Sequence, residues 1–195
     1  MKKGLVLEGG GHRGIFTAGI LDVFLENDIS FDGVIGVSAG AVHGASFLSK
    51  QRGRSLRYMG IGSLLKTGDY FNVDFCYYQL PQVLDPFDND TFERKTAEYY
   101  TVSTDVESGK AVYHQCDTLR DDHIKWIVSS ASMPLVARIV DVEGQKLLDG
   151  GVADSIPETA FRKMGYTKNV VILTQPKGYK KSKNAMLPLI KLVYK

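Results

Sequence analysis

The pentapeptide Gly36-Val37-Ser38-Ala39-Gly40 fits the Gly-x-Ser-x-Gly pattern and directly follows a short apolar run. Glycine two residues before and after the serine permits a tight turn between a strand and a helix, which would lift the hydroxyl clear of a sheet. A helix beginning at Ala39 would direct its free amides at an oxyanion formed there. The pattern also arises by chance, with the serine serving only as a helix N-cap. Ser38 is therefore a candidate nucleophile.

The segment Gly9-Gly10-Gly11-His12-Arg13-Gly14 is a glycine-rich loop between an apolar run and a helical pattern. Its Gly-x-Gly-x-x-Gly spacing satisfies the dinucleotide-binding fingerprint, which also requires an acidic residue at the end of the second strand. Ser38 stands there instead. The other interpretation is an oxyanion hole, in which the amides of Gly10 and Gly11 hydrogen-bond a developing negative charge. Arg13 would add positive potential or brace the loop.

A serine nucleophile needs a base, and the histidines argue against a Ser-Asp-His triad. All four histidines precede Asp149, whereas an α/β-hydrolase places its histidine after the acid. Asp149 ends a strand pattern and opens Asp149-Gly150-Gly151, so its carboxylate is a candidate acceptor for the Ser38 proton. Asp-Gly-Gly alone is usually a hairpin turn or bulge. Because an aspartate is a weak base in water, we expect Asp149 to lie in a partly desolvated setting.

The elements that would position these residues alternate along the chain. Strands are predicted over 4–8 and 34–37, and helices over 15–27 and 39–48. Such alternation favours an α/β fold built on a parallel sheet. The later patterns predict hairpins over 101–114 and 137–148. They also predict helices over 121–130 and from Pro157 to about 165, and a last strand over 169–174.

Residues 52–100 are the least regular part, and nine aromatic residues fall between positions 70 and 100. We interpret this part as an excursion from the sheet. Its aromatics could line a substrate groove or cap the site, although aromatics at this density are more often ordinary core.

Composition excludes several classes of protein. With 44% hydrophobic and 24% charged residues, the chain is neither disordered nor fibrous. Cys76 and Cys116 form no Cys-x-x-Cys motif, and no early apolar segment resembles a secretory signal, so a reduced cytoplasmic location is expected. No apolar run approaches the roughly 20 residues of a membrane-spanning helix. The net charge is +2, but nine Lys or Arg and no acidic residue follow Glu158; such a basic end is either solvated or attracts anions.

Taken together, the three motifs resemble those of the patatin-like phospholipases. Gly-Gly-Gly-His-Arg-Gly at 9–14, Gly-Val-Ser-Ala-Gly at 36–40 and Asp-Gly-Gly at 149–151 stand in that family's order and spacing. Ser132-Met133-Pro134 and the stretch 149–157 also look like the segment before and through the family's catalytic aspartate. The resemblance runs from about Gly4 to Thr174 and is greatest to bacterial intracellular members.

The resemblance implies a three-layer α/β/α sandwich with a mostly parallel central sheet, and hydrolysis of acyl esters of lipids without a metal or other cofactor. Ser38 matches the nucleophile and Asp149 the base. The loop from Gly9 to Gly14 matches the oxyanion-hole loop, with Arg13 at its usual arginine and the Ala39 amide beside it.

We expect residues 1–176 to form the catalytic domain, with an aromatic-rich cap or excursion at about 52–100. Bacterial relatives commonly continue past the last core strand, so 177–195 is expected to be a basic and apolar segment that begins a truncated extension. The expected partners are a lipid or ester substrate and a membrane surface, with no nucleic acid. A nucleotide-binding protein and a catalytically silent scaffold remain alternatives. Head group, acyl length and oligomeric state stay open.

Overall fold

A computed structural model describes residues 1–60, 74–176 and 178–179 of the 195-residue chain. Its strands are β1 Lys2–Leu7, β2 Gly33–Val37, β3 Glu98–Asp105, β4 Ala111–Gln115, β5 Val140–Val142, β6 Gln145–Asp149 and β7 Tyr166–Ile172. Its α-helices are α1 Gly14–Glu26, α2 Ala39–Leu48, α3 Arg54–Gly60, α4 Asn89–Glu93, α5 Lys125–Ser130 and α6 Glu158–Lys163. A π-helix spans Asp74–Leu84, and short 3-10 helices span Gly11–Arg13, Asp121–Ile124 and Gly150–Val152.

The strands form one mixed, mostly parallel sheet. Its order is β5-β6-β3-β2-β1-β7, with β4 paired to β3 outside this path. The central strands β7, β1, β2 and β3 run parallel, whereas β4 and β6 both lie antiparallel to β3. The predicted α/β fold is therefore confirmed, and the two predicted hairpins supply the antiparallel part.

The register along β3 decides where the site forms. A strand has two edges, and β4 occupies one of them over Tyr100–Thr104. On the other edge, β2 pairs with Glu98–Val102 and β6 pairs with Ser103–Asp105. Since β2 is parallel to β3 and β6 is antiparallel, the two chains approach each other head to head along this edge. Both must leave the sheet where they meet.

Alternation along the strands separates two cores, one on each face of the sheet. Leu5, Leu7 and Val34 pack with residues of α1, α2 and α5. Val6 and Ile35 point the other way and pack against Phe161 of α6 and neighbouring strand residues. Helices thus cover both faces of the sheet, as a three-layer arrangement requires.

Two strands, β3 and β7, begin three residues earlier than predicted. β3 starts at Glu98, so Tyr99 and Tyr100 belong to the central sheet rather than to the excursion; Tyr99 is fully buried and its ring meets that of Phe92 edge-on at 5.5 Å. β7 starts at Tyr166, three residues before the predicted start. Cys116 is a free thiol and is buried. Positions 61–73 and 180–195, including most of the predicted basic and apolar terminal segment, lie outside the described residues.

Candidate active site

Ser38 occupies a sharp turn between β2 and α2. Its backbone has φ 55° and ψ −123°, a conformation that residues with a side chain rarely adopt. The flanking glycines permit the turn, because a Cβ on Gly36 would lie 2.5 Å from the carbonyl oxygen of Gly40, and a Cβ on Gly40 would lie 2.5 Å from that of Leu7. The serine therefore sits half-buried at the N-terminus of α2, beside the unbonded amides of the first helical turn.

The glycine loop lies directly against this turn. A Cβ on Gly9 would stand 3.1 Å from the Cβ of Ser38, and one on Gly14 would stand 3.1 Å from the Cβ of Ala39. Among the described residues, neither the N–H of Gly10 nor that of Gly11 donates a hydrogen bond to a backbone acceptor. The loop thus brings two available backbone donors to the neighbourhood of the serine, as an oxyanion hole requires.

The base of the loop is tied to the end of the chain's last strand. The carboxylate of Glu8 accepts from the N–H of Thr174 at 2.5 Å, and the Thr174 hydroxyl lies 2.9 Å from the carbonyl oxygen of Gly9 and 3.1 Å from Glu8 Oε2. A Cβ on Gly10 would lie 2.5 Å from that hydroxyl. Glu8 and Thr174 are both buried. They fix where the loop leaves β1.

Arg13 extends from the exposed tip of the loop. Its N–H donates to the carbonyl oxygen of Gly10 at 3.1 Å and closes the 3-10 turn. No ion pair engages its side chain within 1–60, 74–176 and 178–179. The backbone, rather than the guanidinium, therefore braces the loop here, and the expected role in positive potential stays a prediction.

Asp149 ends β6 and is only 7% exposed. Its Oδ1 accepts from the N–H of Gly151 at 2.7 Å, and its own N–H donates to the carbonyl oxygen of Ser132 at 2.8 Å. Its carbonyl oxygen accepts from the hydroxyl of Thr104 at 2.8 Å. These bonds hold both the backbone and the carboxylate of Asp149 in a largely desolvated position, as the chemistry of a carboxylate base favours.

The opposed strand ends bring Ser38 and Asp149 to the same level of β3. Val37, the residue before Ser38, lies opposite Val102, and Asp149 lies opposite the next residue, Ser103. Gly150 then passes so close to the β3 backbone that a Cβ there would lie 2.1 Å from the Val102 carbonyl oxygen. The three sequence motifs therefore converge at one edge of the sheet.

A cavity of about 240 Å³ lies between α2, α3, the π-helix and residues 119–127. Val42 of α2, one helical turn beyond Ser38, and Ile127 of α5 line it, together with apolar and aromatic side chains that include Ala45, Tyr77, Phe87 and Ile124. Burial raises the pKa of the Tyr77 hydroxyl, so Tyr77 stays neutral there. The aromatic region thus supplies both core, through Phe92, and cavity wall.

Sequence reasoning missed three residues that hold the site. Ser130 accepts the Ser38 N–H, while Glu8 and Thr174 hold the loop. None belongs to a pattern of spaced residues, and each contact joins positions far apart in the chain. His43 is fully buried, and burial lowers its pKa from 6.5 to about 4. Its Nε2 faces Gly14, at 2.7 Å from where a Cβ would stand.

Comparison with known proteins identifies the family. The sequence profile described as patatin-like phospholipase matches residues 5–162. The chain belongs to the patatin-like phospholipase family. Among its relatives, the uncharacterized protein YjjU of Escherichia coli (strain K12) is 32% identical over 88% of this chain and 52% of its own length.

Two further patatin-like relatives are more distant. The lysophospholipase nte1 of Aspergillus terreus is 28% identical over 83% of this chain and 11% of its own length. The patatin-like phospholipase domain-containing protein ZK370.4 of Caenorhabditis elegans is 27% identical over 83% of this chain and 13% of its own length. The chain thus spans about half of the bacterial relative and about a tenth of these larger proteins. In the part of the chain that the structure describes, no helix is both long and apolar enough to cross a membrane.

Proposed function

We propose that this protein is a serine hydrolase of carboxylic acyl esters in lipids, with Ser38 as nucleophile and Asp149 as base. The observation that carries the proposal is the head-to-head meeting of β2 and β6 along one edge of β3, which brings the two residues to the same level of β3. The glycine loop in contact with Ser38 supports it. Family membership supports lipid ester substrates, since two relatives bear phospholipase names.

In the first step, the Asp149 carboxylate accepts the hydroxyl proton of Ser38 while Oγ attacks the ester carbonyl carbon. The Gly151 N–H fixes the orientation of the carboxylate through its 2.7 Å bond to Oδ1. The tetrahedral oxyanion collapses, the alcohol leaves with the proton from Asp149, and an acyl-serine remains. Because the base is a buried aspartate rather than a histidine, the reaction needs only two side chains.

In the second step, Asp149 accepts a proton from water as that water attacks the acyl-serine. A second oxyanion forms and collapses, the fatty acid leaves, and Ser38 regains its proton from Asp149. The amides of Gly10, Gly11 and Ala39 are the proposed donors to both oxyanions, and each such donor typically contributes about 10²- to 10³-fold to kcat. Arg13 adds positive potential at the loop tip.

The cavity is the proposed site of the acyl chain. Its wall includes Val42, one helical turn beyond Ser38 along α2, and the apolar side chains of Ala45 and Ile127. An acyl chain attached at Ser38 could enter it without crossing the sheet. We also propose that residues 1–176 form the catalytic domain and that 177–195 form a basic and apolar segment beside it.

The test is hydrolysis of a lysophospholipid and of a p-nitrophenyl acyl ester by four proteins. Wild type should hydrolyse both substrates, and both Ser38→Ala and Asp149→Asn should lower kcat by about 10³-fold or more. Asp154→Asn is the matched control, because Asp154 bonds the Tyr113 hydroxyl at 2.7 Å and takes no part in the proposed chemistry. Retained turnover in Ser38→Ala would refute the assignment, as would equal losses in the two aspartate variants.

A lipid substrate makes contact with a lipid surface a further part of the proposal. Exposed apolar side chains follow the glycine loop, the turn after α5 and the Asp149 segment: Ile15, Phe16, Val136, Ile139, Val152 and Ile156. We propose that they rest on the bilayer. Phe16, which is 62% exposed, should contribute most, so Phe16→Ser should weaken co-sedimentation with anionic vesicles. Val83→Ser, on the π-helix and 72% exposed, is the control that should not.

A further inference from the structure

The turn that ends α5 contacts the backbone of both proposed catalytic residues. The N–H of Ser38 donates to the hydroxyl of Ser130 at 3.0 Å. Two residues later, the carbonyl oxygen of Ser132 accepts the N–H of Asp149 at 2.8 Å. Ser130 and Ser132 are both buried. One short segment therefore holds the two strand ends that meet at the site.

The Ser130 hydroxyl also links the nucleophile to the sheet. While accepting from Ser38, it donates to the carbonyl oxygen of Val102 at 2.6 Å. Val102 is the β3 residue paired with Val37, so the hydroxyl lies where the ladder between β2 and β3 ends. A hydroxyl offers one donor and two acceptor positions, and Ser130 uses both functions in this bridge.

The conformation of Ser38 gives this bridge its importance. A positive φ at a residue with a side chain persists only when its surroundings hold it there. Gly36 and Gly40 permit the conformation by leaving space, but space does not select it. The hydrogen bond from the Ser38 N–H to Ser130 is directional, and it selects this conformation. It sets the peptide plane from which the Ser38 side chain projects.

We propose that Ser130 is a positioning residue, whose hydroxyl fixes the backbone of Ser38 so that its Oγ faces Asp149 and the glycine loop. The inference rests on the proposed function. A second contact of the same turn supports it, because Ser129 shares a 2.8 Å hydrogen bond with Ser103, the residue opposite Asp149. The turn thus couples the position of the nucleophile to that of the base.

Removing the Ser130 hydroxyl should slow the chemical step and spare substrate binding. Ser130→Ala leaves the Ser38 N–H and the Val102 carbonyl oxygen without this partner, so the turn relaxes. Displacing a reacting group by a small distance can cost about 10²-fold in rate. We expect kcat to fall by about tenfold to 10²-fold, with KM within about twofold, because Ser130 contributes no surface to the cavity.

Ser49→Ala is the matched control. Ser49 is 2% exposed, and its hydroxyl donates to the carbonyl oxygen of Ser46 at 3.0 Å at the C-terminal end of α2. This substitution removes one buried hydroxyl and its hydrogen bonding, but it leaves the contacts of Ser38 and Asp149 intact. Ser130→Cys gives an intermediate case, since a thiol is a weaker acceptor and donor of similar size.

The measurement is the second-order rate of fluorophosphonate labelling at Ser38, per folded molecule, beside kcat and KM for a p-nitrophenyl ester. We expect labelling rates to fall in the order wild type, Ser130→Cys, Ser130→Ala, with Ser49→Ala near wild type. Equal rates for Ser130→Ala and Ser49→Ala would overturn the inference alone. If Ser130→Ala does not fold, a wild-type rate in Ser130→Cys would overturn it. A folded wild type that does not label would overturn the proposed function as well.

Discussion

The two turns that follow β1 and β2 lie in contact, yet they are held in different ways. Two contacts fix the turn at Ser38: α2 packs against the Leu7 backbone at Gly40, and the Ser130 hydroxyl accepts a hydrogen bond from the Ser38 N–H. The glycine loop is held at its base by Thr174, whereas its tip, from Gly11 to Arg13, is exposed.

This difference matches the tasks proposed for the two turns. The side chain of a nucleophile must keep a fixed orientation toward its base, and a strained backbone that packing holds in place fixes that orientation. The amides that stabilise an oxyanion must be able to donate to it when its charge develops, so they must not already donate hydrogen bonds to other protein atoms. Sequence variation should therefore be least tolerated in the turn at Ser38 and better tolerated at the tip of the loop.

Gly40→Ala should give the largest loss of stability among these tests. The added Cβ would meet backbone atoms of Leu7, which cannot move aside without shifting β1. We expect the free energy of unfolding to fall by about 3 kcal/mol or more. Gly19→Ala on α1 is the control: nothing lies within 4 Å of its Cβ position, so the unfolding midpoint in urea should hold or rise. A wild-type midpoint in Gly40→Ala would contradict the tight fit.

His43 lies beneath both turns and should make stability depend on pH. Its folded pKa of about 4 is below the unfolded 6.5, so unfolding takes up a proton between these values. The free energy of unfolding should fall as pH drops from about 6.5 to 4, by about 3 kcal/mol, and this contribution should level off below that. Urea titrations at several pH values would measure it. His43→Gln should show a shallower slope, and an unchanged slope would refute the assignment.

Thr174→Val tests the base of the loop. The substitution keeps the shape but removes the hydroxyl near Gly9 and Glu8, which leaves buried oxygens with fewer donors. We expect a loss of about 2 kcal/mol in the free energy of unfolding, with a several-fold fall in kcat. Thr174→Ser retains the hydroxyl and should preserve turnover. If both variants lose turnover equally, the hydroxyl does not hold the loop.

Gly11→Ala should have the smallest effect, and it sharpens the contrast with Gly40→Ala. No atom lies within 4 Å of the Cβ position, so only the φ of +52° opposes the new side chain. The expected loss is about 1 kcal/mol of unfolding free energy, and less for Gly11→Asn, since asparagine tolerates this conformation better. A loss as large as that of Gly40→Ala would show that the loop tip is held as tightly as the turn at Ser38.

The parts of the site that follow from local sequence could be predicted. The helix over Ala39–Leu48 begins and ends where its pattern indicated, because Ser38 and the glycines around it determine the turn within five residues. The glycine loop is similarly local. The antiparallel pairs β3–β4 and β5–β6 also followed from hairpin signals, which lie within short stretches of chain.

The contacts that hold the site could not be predicted in the same way. The bond between Ser38 and Ser130 spans 92 residues, and the one between Glu8 and Thr174 spans 166. Such bonds depend on the register along β3 and on how α5 and β7 pack, which no local pattern specifies. The predicted start of β3 is too late because Tyr99 and Tyr100 continue an aromatic-rich stretch, and their pairing with β2, together with the burial of Tyr99, marks them as sheet.

The central claim is that Ser38 is activated by Asp149, and covalent labelling tests it most directly. Wild type, Ser38→Ala, Asp149→Asn and Asp154→Asn would each be treated with a fluorophosphonate probe, and mass spectrometry would locate the adduct. The account predicts an adduct on Ser38 in wild type and Asp154→Asn, none in Ser38→Ala, and labelling slowed by about 10³-fold in Asp149→Asn. Labelling of Ser38 at the wild-type rate in Asp149→Asn would contradict it.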